Sequence, residues 1–207
     1  MNQQVFPTKG NLIATKKTLS LSTMGYDLLD RKRNILIREM MLLIDKSKLL
    51  RREIDGTYER AYRALQHANM TLGVIENIAR TVPVDDGIKL HFRSVMGVDI
   101  PIVDYHDEEP ELSYGFLDTN SQLDYAYRCF HEVKKMTVLL AEVENSVYKL
   151  ANAIVKTQRR ANALKNVVIP RLEETTKFIT DSLEEKEREE FSRLKVIKAT
   201  KTKNAND

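Results

Sequence analysis

Metal or nucleophilic chemistry in this 207-residue sequence would have to be assembled from four histidines, one cysteine and one short acidic cluster. His67, His91, His106 and His131 stand far apart, and none has a second ligand at the close spacing that helical or loop zinc motifs require. His106, Asp107, Glu108 and Glu109 offer the oxygens that suit a hard cation. A calcium loop, however, sets its ligands on alternate positions around a glycine turn, whereas these are consecutive and run into Pro110, so they read as a solvated loop. Cys129 has no cysteine partner for a disulfide, and its neighbours Tyr125, Tyr127 and Phe130 suggest a small buried hydrophobe. Gly10 to Thr18, reading GNLIATKKT, is the nearest approach to a phosphate-cradling loop, but it has a single glycine and sits at a helix start, so it is no such loop. No nucleophile, base and orienting group can be grouped, so the sequence predicts no catalytic, cofactor-binding or metal-binding residue.

The elements around these residues are long. The chain is 30% charged and 42% apolar, has no tryptophan, and is punctuated by only 7 glycines and 5 prolines, a composition of extended helices. No apolar run approaches the roughly 18 residues of a membrane span, and the opening MNQQVFPTKG lacks the features of an export signal, which places the chain in the cytoplasm. The net charge of +3 hides three segments: residues 1–75 carry 13 basic against 7 acidic side chains, residues 76–122 carry 3 against 10, and residues 123–207 carry 17 against 13.

From Leu12 to about Ile75 there is no proline, and apolar residues recur at alternating steps of three and four, which predicts one long helix. Leu29, Leu36, Leu43 and Leu50 form one seven-spaced series, and Leu21, Leu28, Ile35, Leu42 and Leu49 form a second beside it. Together they make a stripe wider than a two-helix seam, so a third surface should cover part of it. Past Leu50 the apolar series Ile54, Tyr58, Ala61, Leu65, Ala68, Leu72 and Ile75 takes two successive steps of four, the pattern of a coiled-coil stutter. Gly56 lies beside it as a soft point, and Ala61 and Ala68 allow close approach of a partner helix.

Pro83, Gly87, Gly97, Pro101, Pro110 and Gly115 end that periodicity. Within this span Ile88, Leu90 and Phe92 alternate with Lys89, His91 and Arg93, and after Met96-Gly97 the run Val98, Ile100, Ile102 alternates again, predicting a β-hairpin. A second long helix starts near Thr119 to Ser121, with Asp118 and Asp124 placed to favour its dipole. Val143, Val147, Leu150, Ile154, Thr157, Ala161, Leu164 and Val168 carry its stripe, which resumes at Leu172, Ile179 and Leu183; Pro170 predicts a kink near Asn166 to Ile169. The fold class that follows is all-α: a long antiparallel two-helix coiled coil with a small β-hairpin and loop region in its middle. Its segments are residues 1–75 for the N-terminal helix, 76–122 for the acidic connector, 123–200 for the C-terminal helix and 201–207 for a flexible tail.

Basic residues gather at both ends: Lys9, Lys16, Lys17 and Arg31 near one, Arg193, Lys195 and Lys198 near the other. No aromatic stacking platform is interleaved with them, so an acidic protein surface suits them at least as well as nucleic acid. The run from Leu183 to Lys195 contains Glu184/Arg188 and Glu189/Arg193 at i,i+4, which support helix and solubility.

Several stretches resemble the D-subunit family of V/A-type ATPases. Pro7-Thr8 followed by Lys16-Lys17 resembles that family's NPT…LKK opening, with Phe6 in place of its asparagine. Gly25 to Lys32 and Ser113-Tyr114-Gly115-Phe116 resemble two internal stretches. The most specific likeness is Arg159-Arg160-Ala161-Asn162-Ala163-Leu164 with Ile169-Pro170-Arg171-Leu172-Glu173-Glu174-Thr175, close to the family's RRVNALE…IP.LEET block, with Lys165 where the family has glutamate.

The resemblance implies a non-catalytic central stalk without cofactor, transmitting torque between ATP hydrolysis or synthesis in a hexamer of A and B subunits and ion translocation by a membrane ring. It implies a small F subunit on its side, a funnel-shaped subunit at its base, no direct insertion into the membrane, and a position on the cytoplasmic face. The expected hexamer contacts are Lys9, Lys16, Lys17, Arg31, Arg193, Lys195 and Lys198. Leu21, Leu28, Ile35, Leu42 and Leu49 are expected to meet the small F subunit, and Ile88, Leu90, Phe92, Val98, Ile100 and Ile102 of the hairpin to make a supporting contact. The competing expectations are a self-associating coiled-coil scaffold and, behind it, a helical nucleic-acid binder.

Overall fold

The computed structural model describes residues 6–84, 87–105, 114, 115, 117 and 119–204, with side chains described to residue 201. The acidic cluster at His106, Asp107, Glu108 and Glu109, along with Pro110, Ser113, Phe116, Asp118 and residues 205–207, lies outside them. Helix α1 spans Lys9–Leu72, a short α2 spans Glu76–Ala79, strands β1 and β2 span Ile88–Val95 and Val98–Tyr105, and α3 spans Ser121–Ala163. A π-helical turn, Leu164–Val168, separates α3 from α4, Ile169–Asn204. The chain forms two compact units, Met1–Arg33 with Lys156–Asp207, and Asn34–Val155, and in each a stretch of α1 pairs antiparallel with a stretch of the returning helices.

The ends of α1 follow from local chemistry. Thr8 accepts the Asn11 N–H on its Oγ1 at 3.2 Å, which satisfies one orphan donor of the first turn. At the other end Gly73, at φ +78°, donates its N–H to the Asn69 carbonyl at 2.9 Å, the left-handed glycine stop that ends the helix three residues before Ile75. Asn120 caps α3 by accepting the Leu123 N–H at 3.0 Å, while its amide donates to Thr71 Oγ1 at 2.8 Å and ties the two helix ends together.

In the unit Asn34–Val155, Leu36, Ile100 and Leu150 form one buried cluster, flanked by Met40, Leu43, Val95, Val98, Ala153 and Ile154. Ala61, Ala64, Ala126, Cys129 and Val133 form a second, small-residue seam that lets the backbones approach, with Tyr58 and Phe130 at its rim. Ala68, Tyr114 and Leu123 close the third. The expected stutter is absent. Thr57 is buried and Tyr58 only half-buried, so the inward positions run Leu50, Ile54, Thr57, Ala61, Ala64, Ala68 with the four-three alternation intact. The threonine is tolerated there because its hydroxyl donates to the Glu53 carbonyl at 2.9 Å, and Tyr58 reaches outward to place its hydroxyl 3.0 Å from Thr137 Oγ1.

The hairpin is antiparallel with Val95 opposite Val98 and Ile88 opposite Tyr105. Its two-residue turn holds both Met96 (φ +50°) and Gly97 (φ +73°) in the left-handed region, as a type I′ turn demands. β2 rests on α3: the Val103 N–H donates to Glu142 Oε2 at 2.8 Å, and Ser146 Oγ lies 3.4 Å from the Pro101 carbonyl. An isolated hairpin is marginal in water, and this seat supplies what it lacks. The unit Met1–Arg33 with Lys156–Asp207 is centred on Ala161 and Ile179, both almost fully buried, and Arg33 donates to Gln158 Oε1 at 2.8 Å across the helix pair. At the position of the expected kink the helix widens into the π turn.

Candidate interaction surfaces

The two leucine series of α1 separate by face. Leu36 is fully buried, and Leu29, Leu43 and Leu50 are half-buried. The neighbouring series points outward: Leu21 is 56%, Leu28 66%, Ile35 39%, Leu42 63% and Leu49 61% exposed. Met24 extends this surface in one unit and Met41 in the other. Within each unit these exposed aliphatic side chains recur at regular helical spacing rather than scattered, which is the mark of a protein interface.

The hairpin divides in the same way. Val98 and Ile100 face inward, with Ile100 5% exposed against Leu36 and Leu150, so these two hold the hairpin in place. Ile88, Leu90, Phe92 and Ile102 stay exposed, at 45%, 60%, 63% and 39%. The Lys149 ammonium sits 4.9 Å from the Phe92 ring centroid, and Arg93 pairs with Glu39 at 2.6 Å, fixing the strand's orientation while leaving its apolar side chains open.

The basic residues are only partly brought together. Lys9 at the start of α1 pairs with Glu187 of α4 at 2.9 Å, and the hydrogen bond and charge of Glu187 raise the lysine's pKa. Both side chains are well exposed, so the pair contributes little to stability. Arg193, Lys195 and Lys198 follow one to three turns further along α4, with Arg193 3.8 Å from Glu189. Lys16 and Lys17 are exposed about two turns into α1, and Arg31 lies 22 residues beyond Lys9, about 33 Å along the helix and away from this group.

Sequence reasoning passed over a set of apolar residues among these charges. Every residue from Glu184 to Lys201 is exposed, including Phe191 (71%), Leu194 (64%), Val196 (66%) and Ile197 (52%). The signal was present in the three-residue spacing of Phe191, Leu194 and Ile197, but it was masked by the acidic and basic residues around it.

Three other titratable sites have structural explanations. Tyr114, 5% exposed, donates to Asp124 Oδ1 at 2.7 Å and meets Tyr127 edge to face; burial, then the Asp124 hydrogen bond, raises its pKa. A hydrogen bond with the Cys129 thiol raises that of Tyr125. Glu142 is committed to the β2 edge. Among the described residues no group of three or more His, Cys, Asp or Glu side chains is arranged to hold a metal ion, and no helix is long and apolar enough to cross a membrane.

Fold and surface together define a mostly helical protein that buries one face of its long helix and leaves apolar side chains uncovered on another, the character of a component of a larger assembly. The family model of the ATP synthase D subunit matches residues 11–199, and the chain belongs to that family. It is 46% identical over 196 residues to the V-type ATP synthase D subunit of Thermotoga neapolitana, covering 94% of this chain and 97% of that protein. It is 35% identical over 201 residues to the A-type ATP synthase D subunit of Thermococcus sibiricus, covering 95% and 94%. Against the A-type ATP synthase D subunit of Methanobrevibacter smithii it is 36% identical over 206 residues, covering 97% and 89%.

Proposed function

We propose that this chain is the central stalk of a V/A-type ATP synthase, a non-catalytic rotor shaft that transmits torque between the A/B catalytic hexamer and the ion-translocating membrane ring. The observation that carries this reading is the uncovered apolar surface on long paired helices, in a chain of the D-subunit family. Long antiparallel helices resist bending and twisting together, and their outward residues are free for partners.

In this reading Lys9, Lys16 and Lys17, with Arg193, Lys195 and Lys198 of the exposed α4 segment, face the hexamer, and Phe191 and Leu194 add an apolar contact there. Leu21, Leu28, Ile35, Leu42 and Leu49 take the small F subunit, β1 makes a supporting contact, and the base meets the funnel-shaped subunit on the cytoplasmic side of the membrane. Because the surface differs around the shaft, each A/B pair meets a different face at a given angle. Shaft angle and nucleotide state are then linked reciprocally, so ATP hydrolysis turns the shaft and turning the shaft drives synthesis.

Co-expression with A, B and F subunits, followed by size exclusion with mass determination and an ATPase assay, tests this. One copy per hexamer with altered turnover is the expected result. The second reading, a self-associating scaffold, draws on the seven-residue spacing of the outward series, which would also suit a second copy of the chain. A stable homodimer indifferent to all three partners would establish that reading instead.

A further inference from the structure

The turn Leu164–Val168 does something the rest of the helix does not. On either side of it the inward positions of this unit repeat every seven residues: Thr157 to Leu164 before it, Leu172 to Ile179 and Thr176 to Leu183 after it. Across the turn they repeat every eight, Leu164 to Leu172 and Val168 to Thr176. In an unbroken α-helix one extra residue rotates everything downstream by about 100°, which would carry Ile179, fully buried here, off the seam. A π turn closes its hydrogen bond over five residues instead of four and so absorbs one residue. The Ile169 N–H donates to the Leu164 carbonyl, as that geometry requires.

Pro170 explains why the wide turn sits here. In an α-helix its ring would collide with the Asn166 carbonyl and leave that acceptor without a donor. Immediately after a π turn the collision is relieved and no N–H is needed. The facing helix leaves room, since Gly25 stands opposite: a Cβ built there would lie 3.9 Å from Leu164 Cδ1, and Lys165 lies over the Tyr26 ring at 5.6 Å.

We propose that Leu164–Val168 is a phase-adapting joint, a wide turn pinned by Pro170 that takes up one extra residue and is the torsionally soft section of this unit. Asn166 and Val167 point outward, and Lys165 reaches the facing helix only through its long, exposed side chain over Tyr26, so the turn can open and close without unseating Leu164 or Leu172. If the chain is the shaft proposed above, twist along this unit is taken up first at this turn; that consequence rests on that reading, whereas the joint itself is tested in the isolated chain.

Hydrogen exchange on the full chain should show the amides of residues 165–169 exchanging at least about tenfold faster than those of residues 157–161, about two turns upstream in α3. Equal protection would overturn the soft joint. Thermal unfolding of four variants tests the phase. Deleting Val167 alone forces Pro170 into a regular helix and should lower the midpoint by about 6 °C or more. The same deletion with Pro170→Ala leaves an unbroken seven-residue repeat and should return the midpoint to within about 2 °C of the parent or above it. Deleting Glu174, where the repeat is already seven, should lower the midpoint with or without Pro170→Ala. A Val167 deletion that Pro170→Ala fails to rescue, or that behaves like the Glu174 deletion, overturns the proposal.

Discussion

Leu36 and Leu42 are indistinguishable by sequence pattern, each a leucine in a seven-spaced series on α1, yet the fold treats them oppositely. Leu36 is fully buried against Ile100 and Leu150, with Met40, Leu43, Val95 and Val98 around it, so the space its removal leaves is lined by apolar side chains. Leu36→Ala should therefore cost about 3 kcal/mol, within the 2–5 kcal/mol range of buried leucine truncations. For a chain of this size that lowers the thermal midpoint by about 6–12 °C. Leu42, 63% exposed, loses little buried area, and Leu42→Ala should stay within about 0.5 kcal/mol of the parent. Urea unfolding followed by circular dichroism measures both, with unchanged denaturant slopes showing that the denatured state is not responsible. A further readout separates the loss of packing from general weakening. Leu36 seats Ile100, so Leu36→Ala should cost the β1–β2 amides their protection from exchange first. Equal destabilisation by the two substitutions would refute the assignment of faces.

Gly56 has open space around the site of a Cβ in the interior of α1, so Gly56→Ala should stabilise by up to about 1 kcal/mol and raise the thermal midpoint by a few degrees. At the hairpin turn Met96→Gly should stabilise by about 1 kcal/mol by removing a side chain from a left-handed position, while Gly97→Ala should destabilise by a similar amount; chemical unfolding reads both. Tyr114 has a pKa raised above its ordinary 10.0, so the folded state holds its proton more tightly than the unfolded state. Its contribution is complete below pH 10 and declines as pH rises beyond that value, and Tyr114→Phe should flatten this alkaline loss in a stability-versus-pH series. On the function proposed above, Leu42→Ala should weaken recovery of the small F subunit in co-purification at unchanged thermal midpoint.

Most of the architecture was legible because its two periods are so different. Alternation of three and four carried the long helices, and alternation of two carried β1 and β2 with Met96-Gly97 between them. What failed was choice among apolar residues at adjacent positions. Tyr58 entered the inward series as the apolar residue four beyond Ile54, but the seam beside Ala61 and Ala64 is narrow, and the smaller Thr57 fits it with its hydroxyl satisfied locally. Similarly, the eight-residue step from Leu164 to Leu172 was visible, yet proline beside it suggested a bend, because a π turn and a kink are both ways of relieving the same missing N–H. The basic surface was legible as charge alone. Phe191 and Leu194 were not, since a helical stretch that buries no apolar face on its own chain has no internal reason to carry them.

The outward residues of the unit Asn34–Val155 set a limit on how a partner is held. Ile35, Met41, Leu42 and Leu49 are each 39–63% exposed, so complete coverage recovers only about half of the 1.5–3 kcal/mol of a fully transferred side chain, on the order of 3–6 kcal/mol together. Association costs about 4–15 kcal/mol in lost translational and rotational freedom before any net affinity appears. This strip is thus insufficient to hold a partner alone, even though rigid helical presentation spares the cost of ordering the backbone. Durable assembly requires further contacts made by the same partner, or several partners that each restrict the others' freedom. Multivalent attachment raises affinity through effective concentration without demanding a strong individual site. The consequence, for the partners proposed above, is a steep dependence on completeness: a single truncation such as Leu42→Ala should release the small F subunit readily from the isolated chain, and far less readily from a preassembled complex containing A and B subunits. Equal loss in both settings would mean that the strip, contrary to its exposed area, supplies nearly all of the binding energy.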